Sequence, residues 1–205
     1  GETGNEESVR ERMKALEEKI LKEGTVLPGD ILKVDNFLNH QIDVAFAREI
    51  GEEFYRLFSE EKVTRILTVE SSGIAPAVFT AVCFGDLPVI YAKKSSAANM
   101  GSDVYHATSY SYTRQTPYTL TVSKKYLSEN DRVLLIDDFL ANGEATAALI
   151  SVCEQAKAEI VGCGIVIEKS YQQGRKRLEE KGIKVHSLAR VARMTDDSIE
   201  FCEDA

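Results

Sequence analysis

Apolar residues recur along the chain first at helical spacing and then in short dense runs. Val9, Met13, Leu16 and Ile20 return every three or four positions, so a helix is expected from Glu6, with Gly24 to end it. Asp43 is a suitable cap for a second helix, whose stripe is Phe46, Ile50, Phe54 and Leu57. The rhythm then changes. Residues 63–69 read as buried strand, 73–84 as helix and 89–92 as a short strand. After a break, 133–136 read as strongly apolar strand, 145–156 as helix, 160–167 as strand, 175–181 as helix with Gly182 past its end, and 185–191 as a last core strand. Strands alternating with helices imply an α/β fold with a mostly parallel sheet covered on both faces.

Residues 93–125 break this alternation with Ser, Thr and Tyr. Tyr110, Tyr112 and Arg114 share one face of an exposed strand, Ser111, Thr113 and Gln115 the other, and Pro117 lies near a turn. A flexible β-hairpin flap, at about 94–125, is expected to project from the core. Tyr105, Tyr110, Tyr112 and Tyr118 read mainly as hairpin packing.

Composition narrows the function. With 205 residues, 43% hydrophobic and 28% charged, the chain suits one globular domain. The 25 Lys and Arg against 33 Asp and Glu leave a net charge of −8, and no basic cluster suggests a nucleic-acid partner. Cys83, Cys153, Cys163 and Cys202 are scattered without zinc spacing and read as free thiols of a reducing cytoplasm. No apolar run approaches the roughly 18 residues of a membrane span, and no signal peptide is apparent, so a cytoplasmic protein without membrane association is expected.

The chemistry concentrates where an apolar strand meets Asp137 and Asp138, followed by the loop Ala141-Asn142-Gly143-Glu144-Ala145 and a helix. Ligands of open α/β sheets bind beyond the carboxyl ends of strands. Backbone N–H groups at a helix start suit a phosphate, and paired carboxylates can accept hydrogen bonds from sugar hydroxyls. Glu70-Ser71-Ser72-Gly73, between a strand and a helix, is a second anion site by position, or simply a serine cap. On pattern alone, paired acids also fit a magnesium-binding receiver domain.

The residues themselves go further. The segment 133–145 resembles the phosphoribosyl pyrophosphate signature of type I phosphoribosyltransferases, and its wording IDDFLANG is similar to the xanthine phosphoribosyltransferase family. Asn142 and Ala145 stand where the common loop has two threonines, a departure typical of the xanthine enzymes. LKVDNFLNHQID (32–43), ESSGIAPA (70–77) and GIVIEKSYQQGR (164–175) extend the resemblance, which runs from about Met13 to the C-terminus.

The resemblance implies the type I phosphoribosyltransferase fold over 13–205, with a small N-terminal hood at about 13–60 and an appended extension at 1–12. It implies that Asp137 and Asp138 contact the ribose hydroxyls and favour positive charge on the sugar. Ala141, Asn142, Gly143, Glu144 and Ala145 would cradle the 5′-phosphate, and Ser71, Ser72 and Gly73 with Lys93 would hold pyrophosphate. Lys94 stands beside Lys93, whereas Ser95 and Ser96 replace a further basic residue common in the family. Leu32, Asn39 and Lys169 would form the purine pocket. The implied substrates are xanthine and phosphoribosyl pyrophosphate, with Mg2+ carried mainly by the latter and no direct protein metal site; the implied assembly is a homodimer. Hypoxanthine or guanine as the main base, or a non-catalytic purine-sensing regulator, are the alternatives. A regulator of DNA would need a reading module, and residues 1–60 hold two acidic-leaning helices with no basic recognition helix.

Overall fold

The computed structural model describes residues 13–95, 101–112 and 114–203. The expected helical turns before Met13, and Ser96 and Thr113, lie outside them. α1 (Lys14–Glu23) buries Leu16 and Ile20 and ends where the Gly24 N–H donates to Ile20 O at 2.8 Å. A hairpin of β1 (Thr25–Leu27) and β2 (Ile31–Lys33) follows, turning through Gly29 and Asp30 at φ 88° and 65°. One π-helical turn, Asp35–Asn39, leads to α2 (Val44–Phe58), whose Phe46 N–H donates to the Asp43 carboxylate at 3.1 Å. Lys19 Nζ pairs with Asp43 at 3.0 Å and Glu23 at 2.8 Å, tying α1 to the start of α2. The expected stripe of α2 is buried throughout.

The core then unfolds as β3 (Arg65–Val69), α3 (Ile74–Cys83), β4 (Val89–Ser95), β5 (Val104–Ser111), β6 (Thr116–Ser123), β7 (Arg132–Leu140), α4 (Glu144–Ala156), β8 (Glu159–Lys169), α5 (Gly174–Glu180), β9 (Val185–Thr195) and β10 (Ser198–Phe201). The main sheet has the order β10-β9-β8-β7-β3-β4-β6-β5. β9, β8, β7, β3 and β4 are mutually parallel, while β6, β5 and β10 add antiparallel edges.

Burial on both faces explains the apolar runs. In β7, Leu134 and Ile136 pack with α2, α3 and the hood, while Val133 and Leu135 pack with α4 on the other face. Winding reverses at β3: the chain moves out to β4, then returns to place β7 on β3's other side. Such a switch point opens a crevice at the strand ends, where ligands bind in folds of this kind.

Three expectations need correction. The paired acids do not end their strand. β7 runs on to Leu140 because Phe139 and Leu140 still pair with β8, although β3 pairs with β7 only as far as Leu135. The acids therefore sit on a strand whose β3 side has lost its neighbour. Next, the hairpin is not an independent flap at its base. β6 pairs with β4, and Ala107, Leu120 and Val122 are buried, so only the end near Tyr110 and Tyr112 projects. The Ser/Thr-rich composition concealed this because a single covered face needs few apolar residues. Finally, β1, β2 and β10 were not foreseen; each has four residues or fewer, too short for a periodic signal.

Candidate active site

A cleft of about 1400 Å³ opens at the switch point, and three loops and the hood turn converge on it. Asp137 and Asp138 lie on its floor. Asp137 is buried; one of its oxygens accepts the Asp138 N–H at 2.9 Å. Asp138 Oδ1 in turn accepts the Phe139 N–H at 2.8 Å. Burial, reinforced by the neighbouring charge of Asp138, raises the Asp137 carboxyl well above the ordinary aspartate range.

To one side of the acids, the Glu70–Ser71 peptide is cis and the chain enters α3. Gly73, not a serine, is the N-cap residue, and no side chain caps the helix. Ile74 N–H turns back to Ser71 O at 3.2 Å and Pro76 has no N–H, so the N–H groups of Ser72, Gly73 and Ala75 are the ones left to meet a ligand. Glycine is required by space here: a Cβ at Gly73 would collide with Thr68 Oγ1 and lie 3.0 Å from Asp137 Oδ1.

On the other side, α4 starts in the same manner. Its N-cap is Gly143, at φ 83°, with no side-chain cap. The left-handed backbone that glycine adopts without strain makes the sharp entry from the loop into the helix. Gly174 buttresses the loop from behind, its N–H donating to Ala141 O at 2.9 Å. Arg177 Nη1 donates to Asn142 O at 2.8 Å and to Glu144 at 3.1 Å. Two uncapped helix starts thus flank two carboxylates.

Of the residues expected at the site, Ser71, Ser72, Gly73, Asp137, Asp138, Lys169 and the whole 141–145 loop line the cleft. Lys93 does not. It lies in β4, and alternation along the strand brings Lys94 to the cleft instead, with the Lys94 N–H on Glu70 Oε1 at 2.6 Å. Leu32 also stands apart. β2 turns its side chain into the core, and its neighbours Asp30 and Ile31 line the cleft. Asn39 does not line the cleft itself; it ends the π-helical turn with its amide on Asp138 Oδ2 at 3.3 Å, and its Oδ1 is buried without a hydrogen bond among the described residues.

A second group was missed. Lys169 Nζ donates to Asp30 O at 2.6 Å, Tyr171 Oη to Asp30 Oδ1 at 2.6 Å and Gln172 Nε2 to Asp30 Oδ2 at 3.1 Å. Burial lowers the Lys169 ammonium while Asp30 supports it, with burial prevailing; burial and Asp30 both raise the Tyr171 phenol. Pro28-Gly29-Asp30 carries an ordinary turn signal, yet nothing local says which loop it meets. Behind Lys169, buried Glu168 accepts Ser187 Oγ at 2.6 Å, Arg175 Nε at 3.0 Å and Arg190 Nε at 3.3 Å. A charge at the end of an apolar run was the available signal for such a partnered acid.

Residues 33–194 match the model of the phosphoribosyl transferase domain. The chain belongs to the phosphoribosyltransferase family. As a phosphoribosyltransferase it is 51% identical over 190 residues to a xanthine phosphoribosyltransferase of Pediococcus pentosaceus, covering 92% of this chain and 100% of that one. A xanthine phosphoribosyltransferase of Bacillus cytotoxicus is 52% identical over 191 residues, covering 93% and 96%. Among solved structures, the fold is shared with an adenine phosphoribosyltransferase of Giardia lamblia complexed with 9-deazaadenine, at TM-score 0.74 and 22% identity, covering 87% of this chain and 98% of that one. It is also shared with an adenine phosphoribosyltransferase of Rhodothermus marinus, at TM-score 0.69 and 23% identity, covering 87% and 100%. The type I fold expected from the resemblance is therefore the fold of this phosphoribosyltransferase. No described helix is long and apolar enough to cross a membrane.

Proposed function

We propose that the protein transfers the 5-phosphoribosyl group from phosphoribosyl pyrophosphate to xanthine, giving xanthosine 5′-monophosphate and pyrophosphate in purine salvage. The observation that carries this reading is the pair of uncapped helix starts, α3 and α4, on either side of Asp137 and Asp138. One anion loop suits the leaving diphosphate and the other the 5′-phosphate that stays with the sugar. The curated relatives at about half identity over nearly their whole length support xanthine as the base.

In this mechanism a purine ring nitrogen approaches C1′ as the C1′–O bond to pyrophosphate breaks, with inversion at C1′. The N–C1′ bond forms, pyrophosphate leaves with the bonding pair, and the purine's N–H proton passes to the departing pyrophosphate. Asp138, beside the ribose, accepts hydroxyl hydrogen bonds and stabilises the positive charge that develops on the sugar ring. Asp137, next to it on β7, faces the same ribose hydroxyls. The 141–145 loop fixes the 5′-phosphate, and 71–73 with Lys94 receives the diphosphate. Lys169 offers N–H donors to the 6-oxo group, and Asn39 offers its unpaired carbonyl to a purine N–H.

Magnesium fits as the companion of the diphosphate. Mg2+ takes substrate phosphates with few protein groups, so oxygens of the diphosphate would provide most of its ligands. Bound there, the ion neutralises charge on the leaving group. The reading further places the enzyme in the cytoplasm, in keeping with four free thiols, and as a homodimer.

The test is a nucleotide-forming assay with phosphoribosyl pyrophosphate and magnesium. Xanthine, hypoxanthine, guanine and adenine are supplied separately, and pyrophosphate release is followed. Fastest turnover with xanthine is expected. A clear preference for another base would overturn the substrate, and folded protein inactive with all four would overturn the reaction.

A further inference from the structure

We propose that Asp30 is a positioning residue for the purine end of the cleft, acting through Lys169 on affinity for every 6-oxopurine. The proposal rests on the functional reading above and names the residue that prepares its base site.

Asp30 lies in the hood turn, about 140 positions from the loop it meets, and gathers three side chains of that loop. Its backbone carbonyl takes one N–H of the Lys169 ammonium. Its two carboxylate oxygens take the Tyr171 hydroxyl and the Gln172 amide, one each. Every acceptor on Asp30 that faces the loop is therefore engaged. Lys169 and Gln172 line the cleft together with Asp30 itself.

An ammonium has three N–H donors, so the bond to Asp30 O leaves two to meet a ligand. Its direction is fixed by that bond, and the negative side chain of Asp30 offsets part of the burial that works against the charge. A donor so held suits the 6-oxo acceptor shared by xanthine, hypoxanthine and guanine. It opposes the 6-amino group of adenine, which would present a second donor. Because position 6 is common to the three oxopurines, loss of Asp30 should weaken all three alike.

The backbone at Asp30 selects the variants. At φ 65° an alanine would be strained, whereas Asn and Gly adopt the left-handed region readily. Asp30→Asn keeps shape and removes charge. Asp30→Gly keeps the carbonyl that meets Lys169 and removes the side chain. Tyr171→Phe removes a single donor from the far side of the clasp.

Steady-state kinetics with each base, and separately with phosphoribosyl pyrophosphate, test the proposal. In both Asp30 variants KM for xanthine, hypoxanthine and guanine should rise by roughly five- to tenfold. The KM for phosphoribosyl pyrophosphate and the melting temperature should stay at the wild-type values, and Tyr171→Phe should give a smaller change of the same kind. Active wild type with unchanged base KM in Asp30→Asn and Asp30→Gly overturns the role of Asp30 and leaves the functional reading intact. A rise confined to one base, or matched by phosphoribosyl pyrophosphate, also overturns it. Folded wild type inactive with every base overturns the functional reading, and this proposal with it.

Discussion

The side-chain amide of Asn39 donates to Asp138 Oδ2 at 3.3 Å, joining the hood to an acid 99 positions further along the chain. The bond commits the Asn39 nitrogen to Asp138 and leaves its carbonyl oxygen, buried without a hydrogen bond, as an acceptor. Asn39→Ala removes both functions. Its KM for the base should rise about tenfold and its kcat should fall, with a stability change of less than about 1 kcal/mol, since the residue is only half-buried. Steady-state kinetics and urea unfolding of the same preparation check both halves.

Asp137 sets stability against function. Its carboxyl holds its proton more tightly in the folded chain than in the unfolded one. Its stabilising contribution is therefore complete below about pH 4, the unfolded value, and is lost as pH rises through the raised folded value. Asp137→Asn cannot ionise, so it should melt a few degrees above the wild type at pH 8, with the gap closing towards pH 4. Turnover should fall on the order of a hundredfold. Melting curves across that range decide the matter, and a gap that does not vary with pH would contradict the assigned cause.

Gly143 cannot be exchanged without cost. An alanine would be held at φ 83° with its Cβ 3.1 Å from Gly174 Cα. Gly143→Ala should lose about 1–2 kcal/mol of stability. Because the strain falls on the phosphate loop, KM for phosphoribosyl pyrophosphate should rise more than KM for the base. Comparison of the two KM values is the measurement.

Glu168 faces two arginines from a fully buried position. Glu168→Ala leaves the mostly buried Arg175 guanidinium without its main counter-charge, which should cost about 3 kcal/mol. Glu168→Gln keeps an acceptor and should cost less. Denaturant midpoints of the two variants test the order.

Chelation of divalent cations should abolish turnover without moving the melting temperature of the substrate-free protein. The described residues hold no grouped metal ligands whose loss would loosen the fold. A drop in melting temperature with chelator would instead reveal a resident ion.

Much of this site could be read from the chain because its key residues are consecutive. Asp137, Asp138 and the loop to Ala145 share one strand-loop-helix unit, and local chemistry was enough to expect them along one cleft. Lys93 and Lys94 show where such reading stops: composition offers two lysines, and only the pleat of β4, set by its pairing with β6, decides which meets the cleft. Leu32 gave way to Asp30 and Ile31 for the same reason. The clasp of Asp30 with Lys169, Tyr171 and Gln172 depends on the hood folding back over β8, a contact between distant segments that no periodicity encodes.

The stretch 169–174 meets the hood through Lys169, Tyr171 and Gln172 and the phosphate loop through Gly174. A segment anchored at both ends this way is a short physical bridge between the two regions of the cleft. Any factor by which one substrate tightens the other through it must be returned in equal measure, since linkage between two binding sites is reciprocal.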